Sequence, residues 1–101
     1  MKKIIFKRKF LDLIISGKKT QTIRNWKNIT LQIGEIVKAT NIKDEVNIII
    51  NSINKKKFSE VTEKEAILDG FENLKELKEE IYKFYGNSDF EAYIINFKLV
   101  K

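Results

Sequence analysis

Residues 16–24 read SGKKTQTIR and join an apolar segment to a segment rich in β-branched residues. Its glycine follows an apolar helical segment and is a typical helix end. The residues after the two lysines are rich in β-branched side chains and alternate, which predicts a strand from Thr20 to Arg24. On that strand Thr22 and Arg24 share one face, and the long side chain of Lys19 can reach the same space. The stretch therefore predicts a helix-to-strand corner that carries cations and a hydroxyl.

Apolar periodicity predicts the elements on either side of this corner. Residues 10–15 repeat at helical spacing, so a short helix precedes the second strand. Thr62 and Glu65 form a capping box, and a short helix follows it up to Gly70. A second helix begins near Asn73. Five strands are predicted, over residues 4–6, 20–24, 35–42, 46–53 and 93–99.

The longest predicted helix carries an apolar stripe that we assign to the core. The members of the stripe lie three or four residues apart and are Leu74, Leu77, Ile81 and Phe84. A domain this small has to bury its longest helix rather than offer it as a partner groove. No repeat or linker interrupts the sequence, so we expect one α+β domain over residues 1–101, built on a curved or closed sheet.

The composition excludes several kinds of chemistry. The chain has no cysteine and no histidine, which removes thiol nucleophiles, histidine-based triads and zinc sites with the usual ligands. Its four glycines form no phosphate-binding loop. We therefore expect no metal and no cofactor. An enzyme with this sequence has to move protons with lysine, carboxylate, tyrosine or hydroxyl groups.

Hydropathy predicts neither a membrane span nor a secretory leader. No apolar run approaches the roughly 20 residues that cross a bilayer. Near the start, Lys7, Arg8 and Lys9 interrupt the apolar segment that a signal peptide needs. We expect a cytoplasmic protein without membrane association.

Charge is distributed unevenly along the chain. The net charge is +6; residues 1–27 hold nine cations and one carboxylate, whereas residues 58–91 hold ten carboxylates and four lysines. A basic region of this kind indicates an anionic partner, most commonly nucleic acid. A biased genome that favours lysine explains the overall charge equally well.

Spacing alone leaves each candidate residue an ordinary alternative role. Strand threonines are usually good β-formers, corner lysines are usually solvated, and an arginine is usually an ion-pair partner. Trp26 has the same facing as Arg24 and is either a stacking plane for a base or part of the packing. Lys55, Lys56 and Lys57 either follow a phosphate backbone or form a solvated strand-end turn.

The motif Gly17-x-Lys19-x-x-Thr22-x-Arg24 resembles the Gly-x-Lys-x-x-Glu-x-Arg signature of the ASCH domain family. The resemblance extends over nearly the whole chain, through Phe-Ser-Glu at residues 58–60 and Asp-Gly-Phe at residues 69–71. It implies a small PUA-like mixed β-barrel, with a short helix before strand two and one or two helices before the last strand. It also implies an RNA-binding protein.

One departure from the signature points to a particular subgroup. Thr22 replaces the glutamate of the general motif, as it does in the ASCH subgroup that hydrolyses the amide of N4-acetylcytidine. In that subgroup a lysine, a threonine and a later glutamate carry the catalysis. The resemblance assigns the first two roles to Lys19 and Thr22. The glutamate's place falls on Asp69, whose side chain is one methylene shorter.

Three functions are compatible with these residues. The leading interpretation is a domain that binds RNA or a modified nucleoside. Its binding residues are Lys18, Lys19, Thr22, Arg24, Trp26, Lys55, Lys56 and Lys57. The first alternative is an amidohydrolase of N4-acetylcytidine, with Thr22 as nucleophile, Lys19 as base and Asp69 as proton relay. The second is a protein-protein interaction module whose basic face docks an acidic partner.

Overall fold

A computed structural model describes residues 1–100, in which five strands and three α helices form. In chain order they are β1 (Lys3–Ile5), α1 (Arg8–Ile15), β2 (Gln21–Arg24), β3 (Ile36–Thr40), β4 (Glu45–Lys57), α2 (Glu63–Leu68), α3 (Leu74–Tyr85) and β5 (Glu91–Leu99). One turn of 3-10 helix, Phe58–Glu60, joins β4 to α2. The α+β class is confirmed, as are the helix before the second strand and the two helices before the last.

The five strands form one sheet in the order β1-β3-β4-β5-β2. β1 runs parallel to β3, and the other neighbouring pairs are antiparallel. β1 and β2 lie at opposite edges of the sheet, and residues 1–100 form no ladder between them, so the predicted closure into a barrel is not confirmed. A side chain connects these edges instead, because Arg24 Nη2 donates a hydrogen bond to the carbonyl oxygen of Ile5 at 3.0 Å.

A β-bulge in β4 changes which residues of that strand face the core. The pairing with β5 shifts between Ile50 and Ser52, so Asn51 is an extra residue in the strand. Ile48 is buried in the core before the bulge, and Ile53 packs against the same core after it. The inward positions therefore change from even to odd numbers at Asn51.

The sheet is covered on both faces. A first core cluster, which includes Leu11 of α1 and Ile95 of β5, lies on one face. A second core cluster, which includes Leu77 of α3 and Ile94 of β5, lies on the other. Successive strand residues point to opposite faces, so Ile94 and Ile95 separate the two clusters. The predicted alternation over residues 93–99 describes only the first face.

The ends of the helices follow the predicted caps. Gly17 adopts a φ of +85° just after α1, a left-handed conformation that glycine takes without strain. The amide of Glu65 donates to the Thr62 hydroxyl at 3.2 Å, and the amide of Thr62 donates to the Glu65 carboxylate at 2.9 Å. The capping box is therefore confirmed. It orients α2, the helix that ends next to Asp69.

The apolar stripe of α3 is only partly buried. Leu77 and Ile81 lie in the second core cluster, and Leu74 packs against it. Phe84 is 58% exposed, so its assignment to the core is wrong. The last turn of α3 extends beyond the core and borders a cavity, where Phe84 forms part of the wall.

Candidate active site

A cavity of about 440 Å³ opens between β2, α3 and the segment that joins β1 to α1. We call it the cleft. Four predicted site residues line it together: Lys19, Thr22, Arg24 and Asp69. Much of the remaining wall is apolar and includes Ile5, Phe6, Phe10, Phe71, Ile81 and Phe84. The volume lies within the range of ~300–1,000 Å³ that is usual for small-molecule sites.

Backbone hydrogen bonds hold the corner between α1 and β2 in place. The amides of Lys18 and Lys19 donate to the carbonyl oxygen of Leu13, at 2.9 and 3.1 Å, so the chain reverses directly after α1. The Thr20 amide donates to the carbonyl oxygen of Leu68 at 2.9 Å, which ties the start of β2 to the end of α2. In this conformation the Lys19 side chain is buried and Lys18 is exposed.

Lys19 and Asp69 form a buried ion pair in the cleft. Their side chains are only 3% and 5% exposed. Lys19 Nζ donates to the Asp69 carboxylate and also to the main-chain carbonyl oxygen of Asp69, the latter at 2.8 Å. The aspartate side chain is therefore long enough to reach the lysine, although it is one methylene shorter than glutamate.

Gln21, which the sequence motif did not single out, supports this ion pair. Its Nε2 donates to Asp69 Oδ2 at 3.3 Å and to the carbonyl oxygen of Glu65 at 2.9 Å. Within residues 1–100, every buried side-chain nitrogen or oxygen has a hydrogen-bond partner, as buried polar groups require. The signal in the sequence was an amide side chain at the start of a short, β-branched strand, since such a residue needs a polar partner when buried.

Burial lowers the pKa of the Lys19 amine below its ordinary value. Desolvation of the ammonium group is the main cause, the Asp69 carboxylate opposes it, and the charge of Arg24 adds to it. Burial also lowers the pKa of the Arg24 guanidinium. Lys19 is thus closer to neutrality than a solvated lysine, and only the neutral amine can accept a proton.

Thr22 and Arg24 form the second polar pair in the cleft. Arg24 Nε donates to Thr22 Oγ1 at 3.2 Å, so the threonine hydroxyl accepts this bond and keeps its own hydrogen for another partner. The guanidinium carbon lies 4.8 Å from the ring centre of Phe6, a distance at which the cation is attracted to the ring. Arg24 is therefore held from three sides: by Thr22, by the carbonyl of Ile5 and by an aromatic face.

Arg24 also differs from the other cations of the cleft in its charge balance. Lys7, Arg8 and Lys19 each lie within ion-pairing distance of a carboxylate. For Arg24 no such carboxylate is present in the part of the chain that the structure describes. Its guanidinium can therefore receive an anionic group of a ligand.

Trp26 lies outside the cleft. It borders a second, smaller cavity of about 340 Å³ and packs partly against the first core cluster. Its ring centre is 5.8 Å from the guanidinium carbon of Arg24. Trp26 thus contributes to the cleft only through Arg24.

The three consecutive lysines of β4 also lie outside the cleft. Lys56 forms an ion pair with Glu65 at 2.7 Å, and the Lys55 amine lies 5.2 Å from the ring centre of Tyr93. Pairing of β4 with β5 continues through Lys57, so the strand-end turn considered for these residues is not formed. The structure therefore separates Lys55, Lys56 and Lys57 from the other candidate residues.

Neither a metal-binding group nor a membrane-spanning helix is present in the part of the chain that the structure describes. The described residues contain no group of three or more carboxylate, histidine or cysteine side chains that could hold a metal ion. None of the helices within residues 1–100 is long and apolar enough to cross a membrane.

The fold and the cleft define a small α+β domain with a buried lysine-carboxylate pair. The family model of the ASCH domain matches residues 2–100. The chain therefore belongs to the ASCH domain family. It is 33% identical over 100 residues to an N(4)-acetylcytidine amidohydrolase of Haemophilus influenzae (strain 86-028NP), a match that covers 96% of this chain and 94% of the relative.

Solved structures share the fold. An ASCH domain from Lactobacillus crispatus JV V101 superposes with a TM-score of 0.83 at 18% identity, over 97% of this chain and 79% of that one. A protein from Enterococcus faecalis V583 superposes with a TM-score of 0.72 at 15% identity, over 99% of this chain and 81% of that one. At these identities the comparison concerns the fold alone.

Proposed function

We propose that this protein is an amidohydrolase that removes the acyl group from N4-acylated cytidine nucleosides. The observation that carries the proposal is the meeting of Lys19, Thr22, Arg24 and Asp69 around one cleft of nucleoside size. These groups supply a hydroxyl nucleophile, an amine with a lowered pKa and a guanidinium that has no carboxylate partner within residues 1–100. They are the parts that acyl transfer without histidine requires. The activity named for the Haemophilus relative supports the same choice.

In the first half of the reaction, Thr22 Oγ attacks the acyl carbon of the substrate. Its proton passes to the neutral amine of Lys19, and the acyl oxygen becomes an oxyanion beside the Arg24 guanidinium. In the structure the Lys19 amine donates to Asp69, so the transfer requires a neutral Lys19 that turns toward Thr22. When the C–N bond breaks, the Lys19 ammonium returns the proton to N4, with Asp69 holding the lysine in place. Cytidine leaves, and the acyl group remains as an ester on Thr22.

In the second half, water hydrolyses this ester. Lys19 accepts a proton from the attacking water, the tetrahedral intermediate forms at the same oxyanion position, and the proton returns to Thr22 Oγ as the ester bond breaks. A carboxylate is released. The apolar walls of Phe10 and Phe71 limit water around the ion pair, which strengthens the electrostatic interactions inside the cleft.

The test is the release of cytidine from N4-acetylcytidine, followed by chromatography. We expect turnover by the native protein and loss of more than a hundredfold in Thr22→Val, which keeps the shape of the side chain and removes the nucleophile. Thr20→Val is the matched control, because Thr20 lies next to the same strand and does not border the cleft. Absence of cytidine at high enzyme concentration, or full activity of Thr22→Val, contradicts the proposal.

RNA binding is the second candidate function, and the exposed cations of the basic region favour it. Lys3, Lys18 and Lys27 are exposed, and none of them pairs with a carboxylate within residues 1–100. Such cations are free to contact phosphates. If they bind RNA, affinity for a single-stranded oligonucleotide falls steeply with salt, and Lys18→Glu weakens it further. An affinity that changes neither with salt nor in Lys18→Glu contradicts RNA binding by these exposed lysines.

A further inference from the structure

The cleft contains a carboxylate that the proposed reaction does not use. Glu80 lies on α3, its side chain is 8% exposed, and it lines the cleft beside Ile81. It thus belongs to a different wall from Lys19, Thr22 and Asp69, which are supplied by the corner before β2, by β2 itself and by the C-cap of α2. Burial of a carboxylate is costly, so its position against a largely apolar cavity calls for an explanation.

Surface lysines compensate the charge of Glu80 without filling its hydrogen-bonding capacity. Lys7 Nζ donates to Oε2 at 3.1 Å and Lys9 Nζ to Oε1 at 3.5 Å, while Lys83 lies 3.9 Å away. Burial opposes the ionised form, but these lysines outweigh it and lower the pKa of Glu80. An ionised carboxylate offers about four acceptor positions, and within residues 1–100 two lysines donate hydrogen bonds to that of Glu80. Because Glu80 also lines the cleft, a hydroxyl group of a ligand bound there can approach the same carboxylate.

We propose that Glu80 is a specificity-determining residue that accepts hydrogen bonds from the ribose hydroxyls of a nucleoside in the cleft. The inference rests on the proposed function for the class of ligand. A nucleoside has two polar ends: its base carries the acylated amine, and its sugar carries neighbouring hydroxyls. The β2 wall suits the first end, and an acceptor-only carboxylate suits the second, as it does where acidic residues hold the ribose of dinucleotides. The cleft is thereby selective for ribonucleosides over 2′-deoxyribonucleosides and free bases.

The experiment compares kcat/KM for N4-acetylcytidine, N4-acetyl-2′-deoxycytidine and N4-acetylcytosine. Loss of a hydrogen bond to a charged acceptor corresponds to a preference of about tenfold to a hundredfold for the ribonucleoside in the native protein. In Glu80→Gln and Glu80→Asp this preference falls to a few-fold, mainly through a higher KM for the ribonucleoside. Glu80→Asp keeps the charge near the lysines and only withdraws the carboxylate, so it remains informative if Glu80→Gln folds poorly.

Glu79→Gln is the matched control, because Glu79 is the exposed neighbour on the same helix and its loss changes the net charge equally. It leaves the preference unchanged. A purely structural Glu80, which only ties α1 to α3 through the lysines, lowers activity on all three substrates in the same proportion. That outcome, or a native protein that does not discriminate among the three, overturns the proposal.

Binding measurements separate this inference from the proposed reaction. Calorimetry on the Thr22→Val variant compares cytidine with 2′-deoxycytidine and needs no turnover. Tighter binding of cytidine that disappears in Thr22→Val/Glu80→Asp supports the role of Glu80 even if no amide is hydrolysed. Equal binding of the two nucleosides, or no binding of either, contradicts it.

Discussion

Asp69 accepts two hydrogen bonds from the Lys19 amine, one on a carboxylate oxygen and one on its main-chain carbonyl oxygen. The second contact follows from the position of Asp69 as the C-cap of α2, because the last carbonyls of a helix have no partner within it. The end of one short helix thus satisfies a lysine that lies 50 residues earlier in the chain. The arrangement gives the Lys19 amine two hydrogen-bond acceptors in a site that water scarcely reaches.

We predict that Asp69→Asn destabilises the protein by about 3–5 kcal/mol at pH 6, because it leaves the Lys19 ammonium buried without its counter-charge. The loss shrinks as the pH rises. Burial already lowers the pKa of Lys19, and without the carboxylate it falls further, so the folded protein binds fewer protons than the unfolded chain. Urea denaturation at pH 6 and pH 9 measures both effects.

The double variant Lys19→Met/Asp69→Leu is the control for this prediction. It removes both charges and fills the space with apolar groups, so its stability stays close to that of the native protein, although activity is lost. A double variant as unstable as Asp69→Asn contradicts the explanation by unpaired charge. It points instead to loss of the hydrogen bonds around Gln21.

The pH dependence of hydrolysis reports the protonation of Lys19. We expect kcat/KM to rise with pH along a limb whose midpoint lies below the ordinary pKa of lysine, because the neutral amine is the active form. In Arg24→Gln the midpoint moves to higher pH, since the positive charge of Arg24 contributes to lowering that pKa. Residual activity suffices for the measurement. Lys27→Gln, at an exposed position, leaves the midpoint in place.

A limb at the same pH in the native protein and in Arg24→Gln contradicts the electrostatic coupling of the two cations. An activity independent of pH contradicts the role of Lys19 as base.

The cap of α2 is expected to affect both stability and activity. Thr62→Ala removes the acceptor for the Glu65 amide and costs about 1 kcal/mol. Since the C-cap of α2 is Asp69, which holds Lys19, kcat falls as well. Thr62→Ser keeps the hydroxyl and retains most of both properties. Urea denaturation and initial rates check the pair, and equal behaviour of the two variants contradicts a capping role.

Local pattern was sufficient to bring Thr22 and Arg24 to one face, because alternation within one strand determines which side chains share a face. Lys19 precedes that strand, and its place in the cleft was predicted from the reach of its long side chain. The same rule failed for Trp26. β2 ends at Arg24, and beyond its last residue alternation no longer determines direction. Asp69 could be assigned only through the family resemblance, since nothing local indicates that the end of α2 meets the start of β2.

The parts of the fold that were missed depend on contacts between distant segments. Closure of the sheet depends on whether the short edge strands meet, which a pattern within each strand does not specify. The bulge at Asn51 shifts the inward face of β4 only because β5 pairs on both sides of it. Glu80 was not predicted for a related reason. In the sequence it is one of several charged residues on α3. Which of them is buried depends on how the helix packs against the rest of the domain.

Gly70 offers the last test, because it lies against the ion pair. It has a φ of +96°, and a β-carbon there would stand 3.0 Å from a methyl group of Leu13 and 3.4 Å from Cβ of Lys19. Gly34 has a φ of +88° and no heavy atom within 4 Å of the same position. Both alanine variants carry the strain of a left-handed backbone, about 1–2 kcal/mol. Gly70→Ala additionally crowds the Leu13 methyl group and places a methyl group against the Lys19 side chain. We therefore expect a greater loss of stability by urea denaturation and at least a tenfold loss of kcat/KM on N4-acetylcytidine. Gly34→Ala keeps its activity while folded; equal activity of the two variants contradicts the view that close packing at Gly70 positions the lysine.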